Sequence, residues 1–124
     1  MSARGAKGTC DLYFGKVVRA RGNCERCGSA GPLECAHIIR RSFVGDPDGV
    51  ALRHNEDNAW CLCVACHDLV DEHKPIFTAL VAATIGLDKH DELFAVAHGR
   101  HRPWRESDWI LERQRLLALL KASA

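Results

Sequence analysis

The sequence predicts a small α+β domain: a β-hairpin and the helix that follows it, with one short helix before and further helices after. Three observations predict it. Two Cys-x-x-Cys pairs, Cys24/Cys27 and Cys63/Cys66, stand 35 residues apart. Between them, two short apolar runs flank a polar, turn-rich stretch, which is the pattern of a hairpin. Outside them, apolar residues recur at helical spacing.

The chain has 124 residues, of which 47% are hydrophobic. That suffices for one modest core, so residues 9–124 are read as one domain. Its central unit spans 24–73 and a helical extension spans 75–121. Residues 1–8 are small, polar and Gly-containing and are read as a disordered lead-in. Arg4 and Lys7 lie there with no apolar run behind them, so neither a signal peptide nor a membrane span is expected. A cytoplasmic protein follows as the expectation. Its seven cysteines are then metal ligands or buried thiols rather than a disulfide framework.

The net charge of +1 hides an asymmetry. Residues 1–41 carry eight Lys/Arg against three acids, 42–98 three against ten, and 99–124 six against three. If the two basic ends fold side by side, a basic surface lies next to an acidic patch, as a polyanion-binding protein needs. Otherwise the charges are solvated faces.

Each element has its own signal. Tyr13, Phe14, Val17 and Val18 place a short helix over Asp11–Ala20, with Thr9 or Asp11 as N-cap and Gly22 as stop. Its polar face carries Lys16, Arg19 and Arg21, which could touch phosphate or be solvated, the second being the default. Leu33–Ile39 reads as a strand bearing His37, and Ala59–Leu62 as its return, with the turn residues Gly45–Gly49 between. A helix over 64–73 sets His67 and Asp71 one turn apart on one face. Pro75 begins a helix that stops at Gly86, a second runs from Lys89 to Ala97, and Ser107 caps a last helix through Leu120. Trp109, Leu116 and Leu120 form its core-facing side. No repeat or low-complexity segment interrupts the chain.

Four cysteines in two Cys-x-x-Cys pairs match a tetrahedral zinc site with no open position, which is a structural site. Gly28, after the second cysteine, allows the tight turn that lets two thiolates converge. Such a site supplies roughly 10 to 16 kcal/mol, enough to hold a small hairpin-and-helix unit. A thiol redox protein is the competing reading of Cys-x-x-Cys, but two pairs and no thioredoxin-like βαβ pattern argue against it. Cys10, Cys35 and Cys61 are left over as small buried residues.

Cys24/Cys27, Ala36-His37-Ile38-Ile39, Asp57-Asn58, Cys63/Cys66 and His67 together resemble the HNH (ββα-metal) endonuclease family in its zinc-stabilised, four-cysteine form. The similarity covers about residues 24–73 and rests on the joint spacing. It extends to phage and bacterial members, which likewise carry a basic helix before the motif and helices after it. The resemblance implies a metal-dependent enzyme that hydrolyses phosphodiester bonds in DNA. His37 would be the general base toward water, because an imidazole titrates near neutrality. Asn58 would tie the loop to the histidine's backbone or add an oxygen ligand. His67 would bind a catalytic Mg2+ or Mn2+ beside the scissile phosphate.

The family usually has an acidic residue or a second histidine before its catalytic histidine, and this chain has Ala36. Asp71 is the substitute the sequence offers, then His73, then water or backbone oxygen. Arg40 and Arg41 would clamp phosphates, with Arg53 next and Arg100, Arg102 and Arg105 as an outlying patch. No base-reading helix is evident, so DNA would be bound with weak sequence preference, by a monomer or a homodimer. His54, His90, His98 and His101 are left to the core or surface. A non-catalytic, zinc-containing nucleic-acid-binding module is the alternative.

Overall fold

A computed structural model describes residues 5–40 and 49–123. In chain order these form α1 (Gly5–Arg19), β1 (Leu33–His37), a single 3-10 turn (Glu56–Asn58), β2 (Ala59–Cys63), α2 (Val64–Glu72), α3 (Lys74–Ala83), α4 (Leu87–Ala97) and α5 (Glu106–Ser123). The strands pair antiparallel, with Leu33 opposite Cys63 and His37 opposite Ala59. The result is a small α+β fold with five helices and a two-stranded sheet among the described residues.

Both faces of the sheet are covered, which explains why Ala59, Trp60, Cys61 and Leu62 are all buried. Alternation along the strand sends Trp60 and Leu62 to one face. There they meet Ala36, Val70 of α2, Leu80 and Val81 of α3, and Leu93 of α4. Ala59 and Cys61 face the other way, toward Cys10 and Phe14 of α1 and Trp109 and Leu116 of α5. Trp60 satisfies its indole N–H at the hydroxyl of Thr84, 2.9 Å away, so burial leaves no unmade hydrogen bond. No helix among the described residues is long and apolar enough to cross a membrane.

The first helix begins earlier than the spacing suggests. Residues 5–8, read as part of a disordered lead-in, are helical. Thr9 lies inside α1 with its hydroxyl on the Gly5 carbonyl at 2.7 Å, so neither it nor Asp11 is an N-cap. The added turn is held by packing: Ala6 and Cys10 are buried against α5, and the Cys10 thiol donates to the Trp109 carbonyl at 3.2 Å. The two ends of the chain therefore do lie side by side.

Other boundaries shift by one to three residues. β1 ends at His37 rather than Ile39, β2 reaches Cys63, α3 begins at Lys74 and α4 at Leu87. Ser107 is not the cap of α5. The carboxylate of Asp108 accepts from the Arg105 N–H at 2.9 Å, one half of a capping box, and the residue just before the helix is Arg105. Leu120 is only half-buried, while Trp109 and Leu116 are in the core. Gly45–Asp48 of the anticipated turn, and Arg41, lie outside the described residues.

Candidate functional site

The four cysteines of the two pairs converge. Cys24 and Cys27 come from the turn after α1, Cys63 from the end of β2, and Cys66 from the first turn of α2. One ligand atom from each lies within 4.8 Å of all the others, and the Cys27 and Cys63 sulfurs are 3.7 Å apart. Zinc–sulfur bonds of 2.3 Å in a tetrahedron put the sulfurs about 3.8 Å apart. The cluster can therefore hold a metal such as zinc.

The backbone supports that role. Gly28 adopts φ 81°, a value a side chain would oppose, and its N–H closes the turn on the Cys24 carbonyl at 2.9 Å. Burial works against ionising Cys24, but N–H groups of Cys27, Cys63 and Arg26 outweigh it and bring the thiol down to about 6. Burial, then the neighbouring Cys63, Cys27 and Cys24, push the Cys66 thiol up to about 12 against the pull of Arg26. Four thiolates gathered this closely repel one another unless a cation sits among them.

Glu25 locks the turn to the sheet. Its carboxylate accepts from the Cys61 N–H at 2.6 Å, and its own N–H donates to the Cys61 carbonyl at 2.8 Å. Arg21 braces the same carboxylate at 2.9 Å. One edge of β2 is thereby occupied, and β1 is left with an open edge among the described residues.

Along that edge runs a cleft of about 580 Å³, lined among others by Asp11, Arg19, Glu34, Cys35, His37 and His67. His37 sits at the end of β1 with its ring against Phe14, centroids 5.7 Å apart. Its Nε2 is 2.8 Å from the Arg53 carbonyl. A carbonyl only accepts, so Nε2 carries the proton and Nδ1 holds the basic lone pair. His67, on α2, places Nδ1 2.8 Å from Glu34 Oε1 and Nε2 3.5 Å from Asp71 Oδ2.

Asn58 is fully buried and its amide is spent on the loop. Oδ1 accepts from the Ile39 N–H at 2.8 Å, while Nδ2 donates to the carbonyls of Ile39 at 3.0 Å and Leu52 at 3.4 Å. Its backbone carbonyl accepts from Ile38 at 2.9 Å. Of its two anticipated roles, tying the loop is the one its surroundings allow. An oxygen ligand to an ion at the cleft is not.

The anticipated phosphate contacts need correction. Arg53 is not a surface cation: its side chain is 13% exposed and is forked onto Asp11. Arg102 is paired with Asp108 at 2.8 Å, and Arg102 with the Arg105 N–H holds that carboxyl down to about 2. Arg40, Arg100 and Arg105 are exposed, but none of the five described arginines proposed from sequence lines the cleft. Arg19, read by default as solvated, does.

Asp71 faces the ring nitrogen opposite Glu34, so the two carboxylates do not converge with His67 on one point. His73 is the exposed residue between α2 and α3. The four cysteines are the one group of three or more such ligands gathered this closely among the described residues. Glu34 and Asp11 were missed from sequence because nothing in their spacing brings them to one cleft. Cys35 was assigned to the core, and it is only partly buried and lines the cleft.

His54, left unassigned from sequence, is a buried structural residue at 5% exposure. It bridges Asp11 at 2.7 Å and Glu112 at 3.6 Å. Burial alone would raise Asp11, but hydrogen bonds from His54 and Arg53 outweigh it and hold the carboxyl well below the usual range. Arg115 completes the cluster, donating to Glu112, to Glu56 and to the His54 carbonyl. Comparison of the chain with protein-family models, curated proteins and solved structures finds no match.

Proposed function

We propose that the protein is a metal-dependent HNH-type endonuclease that hydrolyses phosphodiester bonds in DNA, with His37 as general base. The observation that carries this reading is that His37 and His67, one from the strand and one from the helix, line the same open cleft. The order hairpin, cysteine cluster and helix is what the ββα-metal resemblance implies, with zinc in the thiolate site holding the scaffold.

In this reading His37 receives a proton from the attacking water at Nδ1, because Nε2 is committed to the Arg53 carbonyl. Asn58 keeps the strand end and loop in register, so the ring does not drift. Arg19 offers a cation to a non-bridging phosphate oxygen. Glu34 and His67, whose side chains meet at 2.8 Å, are the residues that would hold a divalent ion at the cleft. Such an ion, when bound, neutralises phosphate charge and stabilises the leaving oxygen.

The expected result is nicking of supercoiled plasmid with Mg2+ or Mn2+, lost in His37→Ala. A non-catalytic nucleic-acid-binding module is the second reading, favoured by the lack of a third ligand converging with Glu34 and His67 among the described residues. If native and His37→Ala proteins bind DNA equally and neither cuts, the second reading stands and the first is wrong.

A further inference from the structure

We infer that Asp11, on the helix before the hairpin, is a positioning residue for His37: it holds the Arg53–His54 peptide whose carbonyl fixes the imidazole tautomer. The inference rests on the nuclease reading for its kinetic consequence, though its structural part does not.

The argument begins at the carbonyl. His37 Nε2 donates to the Arg53 carbonyl at 2.8 Å, and that carbonyl belongs to the peptide joining Arg53 to His54. The direction of a peptide carbonyl is set by the dihedrals of its two flanking residues. Both of those residues have their side chains on one carboxylate. Arg53 is forked onto Asp11, Nε to Oδ1 at 2.7 Å and Nη2 to Oδ2, and His54 Nε2 is 2.7 Å from Oδ1.

A carboxylate that grips the residue on each side of a peptide limits how that peptide can rotate. Only an Arg fork gives two parallel bonds of this kind. The neighbours strengthen the arrangement. Phe14, one turn along α1 from Asp11, touches both imidazoles, at 5.7 Å for His37 and 5.4 Å for His54. From α5, Arg115 holds the His54 carbonyl at 2.8 Å. The turn's own bond, Arg53 N–H to the Gly49 carbonyl at 2.8 Å, fixes the amide side of Arg53.

The consequence is chemical. With the carbonyl in place, Nε2 is the protonated nitrogen and Nδ1 the base. If the peptide turns, the ring loses the bond that selects its tautomer, and part of the population presents an N–H where a lone pair is needed. A misplaced base of this sort costs turnover more than binding.

The test uses the zinc-loaded full chain with ¹⁵N-labelled histidine. Native His37 is expected as the Nε2–H tautomer and Asp11→Asn as a mixture. Asp11→Asn should lower kcat for plasmid nicking about 10- to 100-fold with KM within about 3-fold, and Asp11→Glu should recover most of it. Zinc content and thermal midpoint are read in parallel; if Asp11→Asn does not hold its fold, Arg53→Lys, which keeps the charge and loses the fork, carries the same comparison. An Nδ1–H tautomer in the native chain, or a tautomer and kcat unchanged in the variant, would overturn the proposal. If the native chain cuts no DNA, the nuclease reading fails while the tautomer comparison still decides what Asp11 does.

Discussion

Asn58 illustrates how much a single buried polar side chain can hold. Three hydrogen bonds from one amide join Ile39 and Leu52, the two sides of the long loop between the strands. Asn58→Ala would leave the N–H and the carbonyl of Ile39 buried and unpaired, at about 1 to 3 kcal/mol for each, while the Leu52 carbonyl keeps the Asn55 N–H at 3.2 Å. We expect a loss of about 3 kcal/mol in urea unfolding of the zinc-loaded protein. His37→Ala, at the cleft, should stay within about 1 kcal/mol. Equal losses in the two variants would contradict the division of labour between them.

Asp11 gives the residue scale its pH dependence. Its folded value is depressed, by hydrogen bonds from His54 and Arg53 that outweigh burial. Its stabilisation is therefore complete above the ordinary carboxyl value near 4 and fades as pH falls below it toward the folded value. Allowing for its 31% exposed side chain, the contribution is on the order of 2 kcal/mol. The stability difference between native protein and Asp11→Asn should thus be largest near pH 7 and shrink toward pH 3. A difference that grows on acidification would have the wrong sign.

Among elements, the metal site and α1 answer different tests. The four cysteines link the turn after α1 to the end of β2 and the start of α2, so removing the ion frees three segments at once. A strong chelator, or Cys63→Ser, is expected to lower helicity and thermal midpoint together, in step with released zinc measured by a chromogenic dye. Full secondary structure after complete zinc removal would refute a structural role. α1 instead depends on its packing: Phe14 is 1% exposed among α1, β2 and α5. Phe14→Ala should cost about 3 to 5 kcal/mol with zinc content unchanged.

At the scale of the whole molecule, the sheet is buried on both faces, and among the described residues no strand pairs with the outer edge of β1. The cleft along that edge gathers groups from α1, β1 and α2. If DNA lies there, binding should weaken steeply with salt, by a log–log slope near −0.9 per phosphate neutralised on duplex. Arg19→Gln should make that slope shallower by about 1. A variant with unchanged slope and affinity would remove Arg19 from the contact surface.

The sequence by itself determined the local features. Cysteine pairs, the apolar run Ala59–Leu62, turn glycines and helical spacing are short-range signals, and each placed its element to within a few residues, apart from the start of α1. It also placed His67 and Asp71 on one face, since one helical turn settles that. The long-range features were decided only by the tertiary structure. Packing on α5 added the first turn of α1, and an ion pair across 42 residues took Arg53 from the surface. Packing of α2 on the sheet brought Glu34 and His67 together, and Asp11 met the loop that holds His37. These depend on which segments come to rest beside one another, and no spacing along the chain encodes that.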